Sequence, residues 1–96
     1  MRKEGENVNI YVQDRGFVLI GEPEPDTLGP DFLFWRLNRC GIVRTWGTTK
    51  GLGELAIRGP LTNTVIDVEP DGVMVGKLHT FRVIPCDKKA WAKWKP

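Results

Sequence analysis

The chain has 96 residues, 41% of them hydrophobic and 27% charged, which allows one core and excludes a disordered tail. Its 14 basic and 12 acidic residues give a formal net charge of +2, a milder excess than a dedicated nucleic-acid binder usually carries. No apolar run approaches the ~18 residues of a membrane span, and the opening Met1-Arg2-Lys3-Glu4-Gly5 lacks the apolar centre of a signal peptide.

These limits predict a single domain over 1–96, with 1–6 and 92–96 flexible, in the cytoplasm and away from membranes. Cys40 and Cys86 fit two buried free thiols in a reducing compartment better than a disulfide staple.

Val8, Ile10 and Val12 alternate with Asn9, Tyr11 and Gln13, the period of a half-buried strand. Asp14-Arg15-Gly16 breaks the pattern and Phe17-Val18-Leu19-Ile20 resumes it, which predicts a β-hairpin. Residues 22–31 hold three prolines and several acids and read as a solvated loop. Phe32 to Leu37 and Ile42 to Trp46 read as two adjacent antiparallel strands, joined by a turn or bulge over Asn38 to Gly41.

Leu52, Leu55 and Ala56 sit at i, i+3 and i+4, the stripe of a short helix near 51–58. Gly51 stands at its N-cap, Glu54 at the third helical position, and Gly59-Pro60 at its stop. Thr64 to Val68, Val73 to Val75 and Phe81 to Ile84 are further strands, the first two separated by a Glu69-Pro70-Asp71-Gly72 turn. Asp87 caps a turn of helix over Lys88 to Trp94. Five to seven short strands with one short helix make a mostly β fold. A small β-barrel, SH3-like or related, is the favoured form, and a β-sandwich is the alternative.

Gly47 to Glu54 places glycines, a lysine and hydroxyls ahead of a helix, the ingredients of a phosphate cradle. Their order fits neither a P-loop nor a dinucleotide fingerprint, so an ordinary strand-to-helix connection is expected. Basic and aromatic residues interleave at Trp35-Arg36, Arg39 and Arg44-Thr45-Trp46. Such interleaving can serve base stacking and phosphate attraction, or it can be core rings with arginine stems lying along the sheet.

His79 is the only histidine and stands without metal-ligand spacing to Cys40 or Cys86. Serine is absent, which removes a serine triad and leaves His79 with Cys86 as the one formal nucleophilic pair. The carboxylate pairs Glu22 with Glu24 and Asp67 with Glu69 adjoin or lie in proline-containing turns and read as solvated. No catalytic residue, metal or cofactor is expected. In the basic, aromatic tail Lys88 to Pro96, Trp91 or Trp94 can either meet a partner or fold back onto the domain.

The stretch Ile42 to Ala56, with Trp46, Leu52, Leu55 and Ala56 at their spacing, resembles a family of small uncharacterised proteins of bacteriophages and prophages. Gly16-Phe17-Val18 and Ile84-Pro85-Cys86 are similar to the family's opening strand pair and its end, so the likeness spans roughly residues 10–88. Where some relatives have Ser, this chain has Gly51, a weaker helix cap. The resemblance implies a phage or prophage origin and a small β fold, but no activity.

The expected role is a non-enzymatic binding module. Nucleic acid is the first candidate partner, through Arg36, Arg44, Lys50 and Lys77 for charge and Trp35 or Trp46 for stacking. The alternative is a protein–protein accessory or minor structural phage component that binds a phage or host protein, with a homo-oligomer among its forms. There the proline- and acid-rich 22–31 loop would give specificity.

Overall fold

The computed structural model describes residues 8–94; of the ends expected to be flexible, 1–6 and 95–96 fall outside them, while Trp94 of the 92–96 stretch is held by the Trp91 carbonyl and by Arg39. The alternating opening segment forms β1 (Asn9–Gln13), and a tight 3₁₀ turn at Asp14–Gly16 returns the chain into β2 (Val18–Pro23). Arg15 and Gly16 both take positive φ there, as a short reversal between strands requires. The rest of the chain builds β3 (Phe34–Thr45), α1 (Leu52–Arg58), β4 (Val65–Glu69), β5 (Val73–Gly76), β6 (Thr80–Pro85) and α2 (Lys88–Trp91).

The six strands are all antiparallel and form one sheet in the order β4-β3-β2-β1-β6, with β5 also paired to β3. The fold is therefore mostly β with two short helices. It is a single sheet, not the two facing sheets of a sandwich, and its hydrogen-bonded path ends at β4 on one side and β6 on the other.

Neither the turn or bulge expected at Asn38 to Gly41 nor the turn expected at Glu69 to Gly72 reverses the chain. Phe32 to Leu37 and Ile42 to Trp46 are therefore not the two adjacent antiparallel strands expected but parts of one strand and its approaches. Asn38 to Gly41 lies inside the continuous β3, where Arg39 adopts a φ of 47° and the β2–β3 register shifts by a residue. That is a bulge, which bends a strand without ending it. Gly41 allows the close crossing that follows: a Cβ there would sit 2.6 Å from the Asp67 carbonyl oxygen of β4.

Glu69 to Gly72 likewise forms a turn, closed by Gly72 N–H donating to the Glu69 carbonyl at 3.1 Å, yet β4 and β5 both run antiparallel to β3. The two are one edge strand with an excursion in the middle. Composition marks both spots as breaks; only the partner strand decides whether the chain turns back.

Opposite residues of an antiparallel pair share a face, so register divides the core in two. Ile10, Ile20, Val43, Ile66 and Ile84 look to one side, where Leu52, Leu55 and Ala56 of α1 and Trp91 of α2 cover them. Tyr11, Leu19, Leu37, Cys40 and Val75 form the core of the other side, with Trp35, Ile42 and Val73 packed around them. Trp91 is fully buried and its indole N–H donates to the Leu55 and Ala56 carbonyls at 3.2 Å each. The tail thus folds back.

The 22–31 segment departs from a plain loop. Strand β2 continues through buried Glu22 and Pro23, and Pro25–Thr27 makes a 3₁₀ turn. The Thr27 hydroxyl donates to the Glu24 carbonyl at 2.7 Å and accepts from Arg36 N–H at 3.3 Å, which fixes the segment to β3.

The crossing at Gly41 gives a test. Gly41→Ala forces β3 and β4 apart, and urea denaturation should show a loss of about 1–3 kcal/mol. Unchanged stability would mean that the two strands have room to spare.

Candidate functional site

The six residues singled out for charge and stacking divide into two groups at opposite ends of β3. Trp35, Arg36 and Lys77 lie toward its start, and Arg44, Trp46 and Lys50 at or beyond its end. From Arg36 to Arg44 is about 26 Å of extended chain at ~3.3 Å per residue, so no single short oligonucleotide contact unites them.

Most of these cations are already engaged within the molecule. Lys77 Nζ donates to the Gly29 carbonyl at 2.9 Å and stands 5.5 Å from the Trp35 ring centre. Trp35 in turn is half-buried, with its ring 5.1 Å from that of Tyr11. Arg36 Nη2 donates to the Asp71 carbonyl at 3.3 Å. Arg44 Nε lies 3.4 Å from the Asp67 carboxylate across the β3–β4 pair, both side chains exposed. Trp46 and Lys50 are exposed, as are Arg36 and Arg44, but neither Trp46 nor Lys50 has a side-chain partner among the described residues.

The glycine-rich stretch before α1 is filled by the protein's own anion. Glu54 Oε1 accepts from Thr49 N–H at 3.1 Å and Lys50 N–H at 3.0 Å, while Oε2 pairs with Arg58 at 2.8 Å. These bonds stabilise the charged form and hold the Glu54 carboxyl below the usual carboxylate range, the Lys50 N–H foremost and Arg58 next. An external phosphate would have to displace this carboxylate. The expected strand-to-helix connection is what the stretch forms.

The formal nucleophile pair is separated by the whole of β6, with His79 just before it and Cys86 just after. Burial pushes the Cys86 thiol up to about 12, far from a thiolate at neutral pH. Burial also raises Cys40, which sits in the second core while Cys86 packs against the first, so the two thiols lie on opposite faces of the sheet. His79 Nδ1 is 3.0 Å from the Asp14 carboxylate in an exposed pair. Among the described residues, no three His, Cys, Asp or Glu side chains gather as a metal site would need.

The most buried charge pair among the described residues is one that no sequence motif announces. Arg39 and Glu22, with side chains 7% and 10% exposed, approach to 3.7 Å. Arg39 Nε donates to the Trp94 carbonyl at 2.8 Å and Nη2 to that of Trp91 at 2.6 Å, and the guanidinium lies 5.2 Å from the Trp94 ring. Arg39 was grouped with the surface arginines, and Glu22 was read as solvated; both are core residues. The signal was present in the period of two: Val18, Ile20 and Glu22 share a face, so Glu22 belonged on the covered side. Its neighbour Glu24 is half-buried and accepts from Asn38 at 2.6 Å.

Large apolar side chains also reach the surface. Leu28, Phe32, Leu33 and Phe34 are all exposed before or at the start of β3, and Leu78, Phe81 and Val83 along the approach to β6 and on it. Lys77 N–H donates to the Leu33 carbonyl at 2.9 Å and Phe34 pairs with Gly76, which brings the backbone of Leu33 and Phe34 against the segment that carries Leu78. Phe32 to Leu37 read as a strand apolar on both faces; its first residues turn out to face solvent.

No family model matches the chain, and neither a curated protein nor a solved structure matches it.

Two substitutions test the charge assignments. Arg39→Ala removes the buried ion pair with Glu22 and both side-chain bonds to the end of the chain, so stability should fall by about 3–5 kcal/mol. Replacing Arg39 and Glu22 together by Met and Leu should cost much less, read from the same urea midpoints. Glu54 titrates lower in the folded than in the unfolded chain, so its contribution is full above the unfolded carboxylate range and fades as pH falls through its folded value. The stability gap between wild type and Glu54→Gln should therefore be widest near neutral pH and close in acid; a gap constant with pH would remove Glu54 as the cause.

Proposed function

We propose that the chain is a non-enzymatic binding module that docks onto protein, as a phage accessory factor or minor structural component in the host cytoplasm. One observation carries this reading: Leu28, Phe32, Leu33, Phe34 and Leu78 are all exposed on two segments that Lys77 ties together through the Gly29 and Leu33 carbonyls. Soluble monomers rarely leave large contiguous apolar surface open without a partner for it. The cytoplasmic setting is supported by two cysteines held as free thiols on opposite faces.

The sheet is best understood as a small SH3-like barrel left open. Three features support that form. The edge strand β4–β5 follows β3 along most of its length, a 3₁₀ turn at Lys77–His79 feeds the last strand, and that strand returns to β1. Tyr11 of β1 reaches the Trp35 ring of β3 across the intervening β2, as a strongly curled sheet allows.

Nucleic-acid binding becomes the weaker reading because Arg36, Arg44 and Lys77 have partners within the chain. An amide-shift titration of labelled protein with single- and double-stranded oligonucleotides, at two salt concentrations, decides between them. The spectrum should not move. Shifts clustered on residues 35–52 that shrink as salt rises would sink the protein-docking reading in favour of a phosphate-driven one.

A further inference from the structure

We infer that the protein partner is a second copy of this chain, bound head to tail, with the acidic-apolar segment 24–34 of one copy seated on the α1–α2 face of the next. This inference rests on the protein-docking reading above and gives it an occupant.

The donor segment combines two chemistries. Asp26 and Asp31 are exposed among Leu28, Phe32, Leu33 and Phe34, so negative charge and apolar surface alternate over a short stretch. It is also built rigidly. The Thr27 hydroxyl holds the Glu24 carbonyl, Lys77 Nζ holds that of Gly29, and Lys77 N–H holds that of Leu33. A segment ordered in advance loses little freedom when it docks.

The receiving face has the opposite charge. Lys88, Lys89 and Lys93 are exposed on and just after α2, and none has an ion-pair partner among the described residues. Ile57 adds an exposed apolar side chain from α1. The two helices are joined firmly: Asp87 N–H donates to the Ala56 carbonyl at 2.9 Å, and Gly59, at φ 82°, lies against the Ala90 carbonyl. The lysines, three against the one carboxylate of Asp87 beside them, are thus carried on and just after a helix that is fixed to α1.

No ion pair links Asp26 or Asp31 to these lysines within one molecule, so both sets of charges remain for an outside contact. Complementary charge selects the pairing and rejects acid on acid or base on base. The two surfaces are different patches, which makes the contact heterologous. A bound pair still offers one free surface of each kind, one on each copy, and growth continues to a ring or an open chain.

Charge reversal tests this directly by sedimentation velocity at protein concentrations up to ~1 mM. The wild type should show species larger than a dimer that rise with concentration and recede with salt. Lys88→Glu with Lys89→Glu in one protein, and Asp26→Lys with Asp31→Lys in another, should each weaken association by about tenfold or more. Near-UV circular dichroism of each variant confirms that its fold is intact. An equimolar mixture of the two should reassemble, since each altered surface again meets its opposite.

A wild type that stays monomeric across the range overturns the inference, and so does assembly that ignores both reversals or a mixture that fails to recover. In those cases the protein-docking reading stands with a different partner. It falls only if oligonucleotides move the spectrum.

Discussion

The guanidinium of Arg39 is where the sheet, its bulge and the end of the chain are obliged to meet. A buried cation is costly unless its charge and its donors are answered. Here Glu22 answers the charge, while the carbonyls of Trp91 and Trp94, at and just past the end of α2, accept from two of the guanidinium's donors. The left-handed backbone at Arg39, unusual for a residue with a side chain, turns the group toward this meeting point. The bulge bends β3, and the bend lets it pair with β2 on one side and with both β4 and β5 on the other. Once α2 is tied down, Trp91 closes the core over β1, β2 and α1.

Electrostatics in this protein is mainly internal. Glu54 occupies the amides that an outside anion would use, Asp67 meets Arg44, and backbone carbonyls take Arg36 and Lys77. The exposed pairs among these contribute little to stability. Their effect on binding is larger, because a cation that already has a partner is a poor handle for a phosphate. The small formal excess of positive charge is left mainly to Lys50, to Arg82 and to the lysines of α2, away from the aromatic residues of β3.

Local patterns in the sequence were a good guide wherever one segment decides its own structure. The alternation of Val8 to Gln13 became β1, the Leu52, Leu55 and Ala56 stripe became α1 between its glycines, and Asp87 caps α2 by accepting from Ala90 N–H at 2.9 Å. Legibility failed where a distant strand decides. Asn38 to Gly41 and Glu69 to Gly72 have the composition of turns, but the segments on both flanks of each pair with the same part of the chain, so a bulge and a local excursion replace a reversal. The candidate site failed for the same reason. Arg36, Arg44 and Arg39 look alike in sequence, and only the bulge and the returning helix make one of them core while the others stay at the surface.

The pairing of β1 with β6 joins residues near one end of the domain to residues near the other, with Ile10 opposite Ile84. During synthesis β1 can find β2 early, but its second neighbour and the Trp91 lid are made last. Until then Ile10, Val12 and Ile20 lack their cover, and the growing chain carries an unfinished apolar face. Such long-range closure slows folding and lengthens the exposure of sticky intermediates. The domain therefore completes itself only after nearly all of it has left the ribosome, and any truncation before α2 should behave as an aggregation-prone fragment rather than as a smaller version of the fold.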